Sequence, residues 1–153
     1  MPESAFGSAM PHIAAYVIFR KEGKVAFVMR ANTSWMNGYY GLPSGKVEND
    51  ETFTQAAIRE AKEEVGVNIN PEDLKCVLIA HRKSKDINWV DACFEASNWD
   101  GGLTNAEPHI HSELAWLDPN NLPENVIPSV RHYIGQISAG NSYTEFGWVG
   151  ERD

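Results

Sequence analysis

The sequence has few cysteines and no long hydrophobic run, and both absences exclude classes of protein. Cys76 and Cys93 are the only 2 cysteines among 153 residues, too few for the disulfide framework of a small secreted domain. The longest apolar stretch near the start, "IAAYVIF", is too short to span a bilayer, and no charged segment with a cleavage pattern precedes it. We therefore expect a cytoplasmic protein with no membrane segment.

Positive charge is also in short supply. The chain carries 13 lysines and arginines against 21 aspartates and glutamates, which gives a formal net charge of -8. A protein that holds nucleic acid normally presents a basic patch or stripe, so we expect no nucleic-acid polymer as partner. An acidic site can still bind polyphosphate when divalent cations stand between the two charges. A small phosphorylated substrate is therefore compatible with this composition.

Repeats, low-complexity tracts and linker-like stretches are absent as well. Hydrophobic residues make up 42% and charged residues 22%, close to the averages of soluble globular proteins. A chain of this length has room for one core. We predict a single domain over residues 1–153, as a monomer or a homodimer. Its core covers about 12–137, and the polar tail at 140–153 has no clear pattern.

Two strand-like runs open the predicted core. Residues 13–30 read "IAAYVIFRKEGKVAFVMR", rich in Val, Ile, Tyr and Phe around a turn at Gly23, which predicts a β-hairpin. The following "ANTSWMNGYYGLPSG" is dense in Asn, Ser, Gly and Pro, so it predicts a loop that leads into a short extended piece. Loops with exposed aromatic residues often carry binding sites.

A helix is predicted next, from about Thr52 to Val65. Asn49 or Asp50 is available as its N-cap, acids would fill the first turn, and Gly66 stands at its C-terminal end.

Further apolar runs predict three more strands and a second helix. The strands are "LKCVLIAH", "INWVDACFEA" and "HSELAWL", and the helix is "VIPSVRHYIGQI", with Pro128 near its start. Strands on both sides of a central helix, followed by a final helix, favour a mixed sheet with helices on its faces. The predicted fold class is α+β or a three-layer α/β/α sandwich.

Three glutamates crowd the end of the first helix. At about 100° per residue Glu60, Glu63 and Glu64 fall within one arc, roughly opposite the face that carries Ile58 and Val65. Like charges at this spacing repel and weaken a helix by a few tenths of a kcal/mol per pair. Such a triplet is ordinarily a solvated acidic face. The alternative is a site for a hard cation such as Mg²⁺ or Mn²⁺, which prefers oxygen ligands.

The wider sequence favours the cation site. From Gly45 the chain reads "GKVENDETFTQAAIREAKEEVGV", which resembles the signature box of the Nudix hydrolases. Seven fixed positions of that box fall in register, a coincidence of about one in 10⁸ by chance. They are Gly45, Glu51, Arg59, Glu60, Glu63, Glu64 and Gly66, with Ala61 and Val67 at the aliphatic places. The resemblance implies the Nudix fold, an α/β/α sandwich around a mixed sheet.

The same resemblance implies an activity and a metal site. Nudix hydrolases cleave a nucleoside diphosphate linked to another moiety, using Mg²⁺ or Mn²⁺ as cofactor. Glu60, Glu63 and Glu64 are then the expected metal-binding carboxylates, and the backbone carbonyl of Ser44 is a further expected ligand. Glu60 would serve as ligand, as general base, or as both.

Four other box residues are expected to support the site. Arg59 and Glu51 are similar to the family's internal ion pair, which orients the loop and the helix. Gly45 would bring the loop close to the metal ions, and Gly66 would close the helix.

Downstream, "WDGGLTNAE" resembles the segment in which MutT-like members place one more metal ligand. An acid eight residues after the tryptophan supplies it, and that acid is Glu107 here; the alternative is a surface-loop glutamate. His109 and His111 follow, and such a pair could bind a softer metal. Without a cysteine nearby we favour no such second site.

Several residues are candidates for substrate binding. Arg30 stands where MutT-like members carry a phosphate-contacting arginine, and Asn125 near the place of their base-reading asparagine, where a helix cap is the alternative. Planar side chains can stack on a nucleobase, and each is as readily explained by packing. The loop offers Trp35, Tyr39 and Tyr40, together with Met36.

The predicted function is metal-dependent hydrolysis of a phosphoanhydride bond in a nucleotide. The default substrate is a nucleoside triphosphate, canonical or oxidised, that yields the monophosphate and pyrophosphate. "HRKSKD" lacks the proline and tyrosine typical of the ADP-ribose and diadenosine polyphosphate subgroups, yet ADP-ribose, dinucleoside polyphosphates and sugar nucleotides remain alternatives. Such chemistry needs positioning and electrostatics rather than a nucleophilic side chain.

Two alternative functions are compatible with the same fold but do not involve this reaction. A nucleotide sensor could retain the site without turnover, although sensors often lose box carboxylates and this chain keeps them. An isoprenoid diphosphate isomerase needs a cysteine near the metal site. Cys76 and Cys93 lie in apolar strand-like runs, so we expect both thiols to be buried.

Overall fold

The computed structural model describes residues 7–153, and within them eight strands form one mixed sheet. A 3-10 turn at Pro71–Asp73 precedes the fifth strand, and none of the helices described is long and apolar enough to cross a bilayer. The helices are α1 (Phe53–Val65) and α2 (Pro128–Ser138), and the strands are β1 (His12–Lys21), β2 (Lys24–Arg30), β3 (Tyr40–Gly41), β4 (Ser44–Lys46), β5 (Leu74–Ser84), β6 (Ile87–Ala96), β7 (His111–Leu117) and β8 (Tyr143–Phe146).

The order of the strands across the sheet is β3-β2-β1-β6-β5-β8, with β4 paired to β1 and β7 paired to β2. β1 therefore lies at the centre, and its alternating side chains build two cores. Val17 and Phe19 pack with the buried alanines of α1, whereas Ile18 packs with Tyr133 and Ile134 of α2. Successive residues of a strand point to opposite faces, so the helices cover the two sides of the sheet. The predicted α/β/α sandwich is confirmed.

The first hairpin and the end of α1 follow the predicted turn chemistry. Glu22 and Gly23 both have positive φ, 52° and 76°, as a two-residue hairpin turn of the type that matches strand twist requires. Gly66 closes α1 in the left-handed conformation, with φ 73°, and its N–H donates to the Lys62 carbonyl at 3.1 Å.

The start of α1 differs from the prediction. Asn49 and Asp50 do not cap it. Thr52 does, in a reciprocal capping box with Gln55, and the first turn contains no acid. The reason is that Glu51 closes the preceding turn, where its carboxylate accepts a backbone N–H from three residues earlier at 2.9 Å. The helix can begin only after that turn.

β1 pairs with two different strands along its second edge. Its first half, Ala14–Tyr16, pairs with β4, while Arg20 and Lys21 at its end pair with β2. β6 runs parallel to it along the other edge. β4 and β2 therefore diverge from each other along this edge of β1, and the sheet forks between them. The candidate site described below lies at this fork.

The tail that the sequence pattern left undefined adds an edge strand. β8 runs parallel to β5, with Ile79 opposite Tyr143 and Arg82 opposite Phe146. Beyond it, the side chain of Asp153 accepts hydrogen bonds from the N–H and the hydroxyl of Ser129, at 2.6 and 2.7 Å, in the first turn of α2. Residues 140–153 are thus tied to both the sheet and α2.

The two thiols have different environments. Cys93 is buried in the core beside α2, as predicted, but Cys76 is exposed, and that part of the prediction was wrong. The pairing of β5 with β6 shifts register between Cys76 and Leu78, which turns the side chain of Cys76 away from the core.

Candidate active site

The three glutamates of α1 do not form a group opposite its apolar face, as the helical wheel suggested, because Glu64 belongs to the buried face. Glu64 is buried together with Ala57 and Ala61, and only Glu63 keeps a side chain that is half exposed, at 49%. β4 explains the burial of Glu64, because the backbone N–H of Ser44 donates to its Oε2 at 3.0 Å. Glu64 is therefore a buried carboxylate bonded to a strand, and not part of a solvated helix face.

Arg59 connects the remaining carboxylates of the box. It donates to both oxygens of Glu51, with Nη2 2.6 Å from Oε1 and Nε 3.1 Å from Oε2. Its Nη1 also reaches Glu60 at 2.6 Å and Glu63 at 3.3 Å, and Nη2 donates to the Lys46 carbonyl at 3.0 Å. The hydrogen bonds with Glu51 hold the pKa of Arg59 above its ordinary value and lower the pKa of Glu51. Arg59 is therefore a local counter-ion for three acids.

The absence of a side chain at Gly45 leaves the space that the carboxylate of Glu60 occupies. A Cβ on Gly45 would lie 2.0 Å from Glu60 Oε1, so only a residue without a side chain fits while Glu60 stays where it is. The φ of Gly45 is not in the left-handed region. Glycine is needed here for space rather than for backbone conformation, and the requirement links β4 directly to a box carboxylate.

The loop before β7 brings two further side chains to Glu64. Backbone N–H groups of Thr104 and Ala106 donate to the carbonyls of Val65 and Glu64, each at 3.0 Å, and so fasten the loop to the end of α1. In the next turn the carbonyl of Glu107 accepts the backbone N–H of residue 111 at 3.0 Å. One potential ligand atom from each of three residues then lies within 4.8 Å of the others, and these are Glu64, Glu107 and His111.

The electrostatics of this cluster are set by burial and by neighbouring like charges. Burial, and then the charges of Glu60 and Glu107, raise the pKa of Glu64 well above its ordinary value; burial likewise raises the pKa of Glu60 to about 7. Burial and then the charge of Arg30 lower the pKa of His111 to about 4, so its imidazole is neutral. Several carboxylate oxygens converge in a partly desolvated place, and a divalent ion with a preference for oxygen fits that donor set.

A small cleft at the fork of the sheet adjoins the buried carboxylate of Glu64. It encloses about 40 Å³, enough for a few water molecules, and both Arg30 and Trp35 line it. Arg30 Nε donates to the Trp35 carbonyl at 2.8 Å, and its guanidinium lies 5.2 Å from the centre of the Trp35 ring. Two predicted substrate residues therefore stand beside the candidate metal site.

The other predicted substrate residues lie away from this cleft. The Tyr40 hydroxyl donates to Glu113 at 2.7 Å, and the Asn125 side chain donates to the Gly38 carbonyl at 3.0 Å. Met36 packs on the core beside α2, and Tyr39 is exposed at its surface. The contact of Asn125 holds the loop against the segment that leads into α2, whereas the contact of Tyr40 joins β3 to β7.

Sequence reasoning missed three residues of this region. Tyr16 and Ser129 line the cleft, and His111 contributes to both the cleft and the acidic cluster. Tyr16 and Ser129 read as ordinary strand and helix residues. The only signal for His111 was its spacing of four residues from Glu107, and we gave the histidine pair no role at the acidic site.

Comparison with known proteins agrees with this architecture. The NUDIX domain model matches residues 10–136. An 8-oxo-dGTP diphosphatase from Proteus vulgaris is 40% identical over 96 residues, which are 61% of this chain and 81% of that protein. An RNA pyrophosphohydrolase from Erythrobacter litoralis is 27% identical over 135 residues, 77% of this chain and 82% of that one.

The fold has solved counterparts. A MutT NUDIX hydrolase from Burkholderia pseudomallei superposes with a TM-score of 0.75, over 83% of this chain and 98% of that one, at 23% identity. At such identity the likeness concerns the fold alone, whereas the domain match and the Proteus relative concern the family. The chain belongs to the Nudix family and is a Nudix pyrophosphohydrolase, with a fold like that of the Burkholderia MutT protein.

Proposed function

We propose that the protein hydrolyses nucleoside triphosphates, canonical or oxidised, to the monophosphate and pyrophosphate, with Mg²⁺ or Mn²⁺ as cofactor. The observation that carries the proposal is the burial of Glu64 beside Glu60 and Glu107, at the rim of a cleft that also contains Arg30. Acids gathered in this way are costly for the fold, and a divalent ion that bridges them to a polyphosphate relieves the cost.

The ligand set that we propose from the box and from Glu107 is built around carboxylates. Carboxylates of Glu60, Glu63, Glu64 and Glu107 would hold the ions, together with the carbonyl of Ser44. A bound divalent ion supplies charge neutralisation for the phosphoryl oxygens and makes a coordinated water more acidic. Arg59, paired with Glu51, would fix the position of Glu60 and Glu63 without touching the substrate.

The chain's own residues then orient the reaction. Water attacks a phosphorus atom, the new P–O bond forms as the phosphoanhydride P–O bond breaks, and a glutamate of the site accepts the proton. Arg30 is placed to pair with a phosphate, and Trp35 beside it offers a ring on which a base can stack. Two further substrate candidates, Tyr40 and Asn125, would hold the neighbouring loop in place.

The choice of substrate class rests on the relatives as well as on the site. The Proteus vulgaris protein is named for hydrolysis of 8-oxo-dGTP, which supports a nucleoside triphosphate that includes oxidised bases. A net charge of -8 argues against a polymer, although the Erythrobacter relative is named for RNA. Two cysteines without a disulfide fit the reducing cytoplasm that we propose as its compartment.

The test is a substrate screen with product analysis. Canonical and oxidised triphosphates, ADP-ribose, dinucleoside polyphosphates, sugar nucleotides and a 5′-triphosphorylated RNA are incubated with Mg²⁺, and products are resolved by ion-exchange chromatography. We expect monophosphate and pyrophosphate from triphosphates, with kcat/KM at least tenfold above that for the other classes.

Glu64→Gln supplies the control for the site. It keeps the size of the side chain and is expected to lower pyrophosphate release by about a thousandfold, which is about 4 kcal/mol in the barrier. Unchanged release by the folded variant, or nucleotide binding by the wild type with no hydrolysis of any substrate, would overturn the proposal. The second outcome would indicate a sensor.

A further inference from the structure

His111 is the one member of the acidic cluster for which the proposed function has no use. Its side chain is only 4% exposed, and within residues 7–153 its Nδ1 has no hydrogen-bond partner. Its Nε2 lies 3.8 Å from Oε1 of Glu64, too far for a hydrogen bond. Buried imidazoles normally satisfy their ring nitrogens, so a ring left in this state beside carboxylates needs an explanation.

The surroundings of His111 hold it firmly. Its backbone N–H donates to the Glu107 carbonyl at 3.0 Å, and its own carbonyl accepts the Asn105 amide at 2.7 Å. It begins β7, where it pairs with Arg30 of β2. These bonds fix the backbone of His111, and the buried ring has little open space in which to turn away from Glu64.

From this placement we propose that His111 is a nitrogen ligand of the divalent-metal site, completing a mixed set with the carboxylates of Glu64 and Glu107. The inference rests on the proposed function, because it concerns the same ions. Donor atoms bound to one ion at about 2.1 Å stand at most about 4.3 Å apart. The three candidate donors lie within 4.8 Å of one another, so small side-chain rotations would bring them around one ion.

A nitrogen donor changes which ion the site prefers. Mg²⁺ is a hard cation that favours oxygen, whereas Mn²⁺ and the later transition metals accept imidazole more readily. The site is therefore expected to bind Mn²⁺ more tightly than Mg²⁺, by a margin that depends on His111. A carboxylate-only site would show a smaller preference.

Direct observation of the nitrogen is the decisive experiment. Pulsed EPR of Mn²⁺ bound to the wild-type protein is expected to show the ¹⁴N modulation of a coordinated imidazole. His111→Gln is expected to lose that modulation, with Mn²⁺ affinity about ten- to a hundredfold weaker by calorimetry and Mg²⁺ affinity lowered less than about threefold. His109→Gln is the matched control, an exposed histidine of the same loop, and is expected to keep both signal and affinity.

The spectrum of the wild type alone can overturn the inference, so the test does not depend on the variant's folding. Bound Mn²⁺ without ¹⁴N modulation, in a protein that hydrolyses triphosphates, would refute the role of His111 and leave the proposed function standing. Modulation that survives in His111→Gln would also refute it. Failure of the proposed function is separate, since it appears as a lack of hydrolysis in the substrate screen.

Discussion

Arg59 and Arg82 each pair with carboxylates, but they lie on opposite faces of the sheet. They also differ in how fully the hydrogen bonding of their carboxylates is satisfied. Arg82 is 6% exposed and donates to the fully buried Asp91, with Nε 2.7 Å from Oδ2. Tyr133 donates to the same carboxylate at 2.6 Å, and Asp153 lies 3.8 Å away from the guanidinium. Arg59, which belongs to α1, is 25% exposed and meets Glu51, Glu60 and Glu63.

The difference lies in how the acids are satisfied. Around Arg82, hydroxyl and backbone donors from Tyr133 and Ser129 complete the hydrogen bonding of both aspartates, so the group is closed. Around Arg59 three carboxylates share one positive charge, and within the described part of the chain the buried Glu64 nearby accepts only from the backbone N–H of Ser44. A balanced buried network serves the fold, whereas an unbalanced one at a cleft leaves capacity for a cation.

The largest expected effect comes from a substitution in the closed network around Arg82. Arg82→Met leaves Asp91 buried without its counter-ion and is expected to lower the free energy of unfolding by about 3–5 kcal/mol, measured by urea denaturation. The double variant Arg82→Met with Asp91→Leu removes both charges and is expected to recover a large part of that loss. A loss below about 1 kcal/mol in the single variant would show that the pair is not a structural anchor.

The network around Arg59 is expected to show the opposite pattern, with a large effect on catalysis and a small effect on stability. Glu60→Gln should slow hydrolysis by about a hundredfold, or about 2.7 kcal/mol in the barrier, and change unfolding free energy by less than about 1 kcal/mol. The matched control is Glu95→Gln, since Glu95 also accepts from an arginine, Arg20, at 2.8 Å outside the site. Equal rates for the two variants would contradict the distinction between the networks.

A smaller effect probes the space that β4 leaves for Glu60. Gly45→Ala places a methyl group against the carboxylate, which must move, so metal affinity is expected to fall about tenfold by calorimetry. Gly102→Ala is the control, because a Cβ there meets nothing within 4 Å and the φ is not left-handed. Affinity that is unchanged in Gly45→Ala would mean that the position of Glu60 is unimportant for the ion.

The smallest effect is a dependence on pH in EDTA. Burial raises the pKa of Glu60 from 4.5 to about 7, so the folded state holds this proton more tightly than the unfolded state does. The contribution to stability is therefore present below about pH 4.5 and is lost as pH rises to about 7. Relative to Glu60→Gln, the metal-free wild type is expected to lose a few degrees of melting temperature between pH 5 and 8. Saturating Mg²⁺ should abolish the difference; a wild type that gains stability over this range would contradict it.

The main elements of the fold could be predicted because local patterns specify them. The hairpin around Gly23, α1 ending at Gly66 and α2 starting at Pro128 all follow from propensity, periodicity and turn residues. β8 could not be predicted, because its four residues, "YTEF", alternate too briefly and its stability comes from parallel pairing with a distant strand. The N-cap was missed since the capping competition between Glu51 and Thr52 depends on three-dimensional contacts.

For the site, the spacing of the residues could be used for prediction, whereas their burial and their neighbours in space could not be inferred from the sequence. The box identified the acids of α1 and the resemblance identified Glu107, whose roles as ligands remain predictions. The burial of Glu64 could not be foreseen, since it depends on β4 crossing the helix. The place of His111 depends on a loop that is fastened to the helix end by backbone hydrogen bonds, and no local pattern specifies such bonds.

The contacts of Arg59 have a consequence for the arrangement of the acids. One guanidinium lies against both Glu60 and Glu63, so a residue of the same helix holds these two carboxylates together. Under the proposed function, an ion at these two acids would compete with Arg59 for them, and Glu51 would remain as a partner of the arginine. Binding of the ion would then be an exchange of partners within the box.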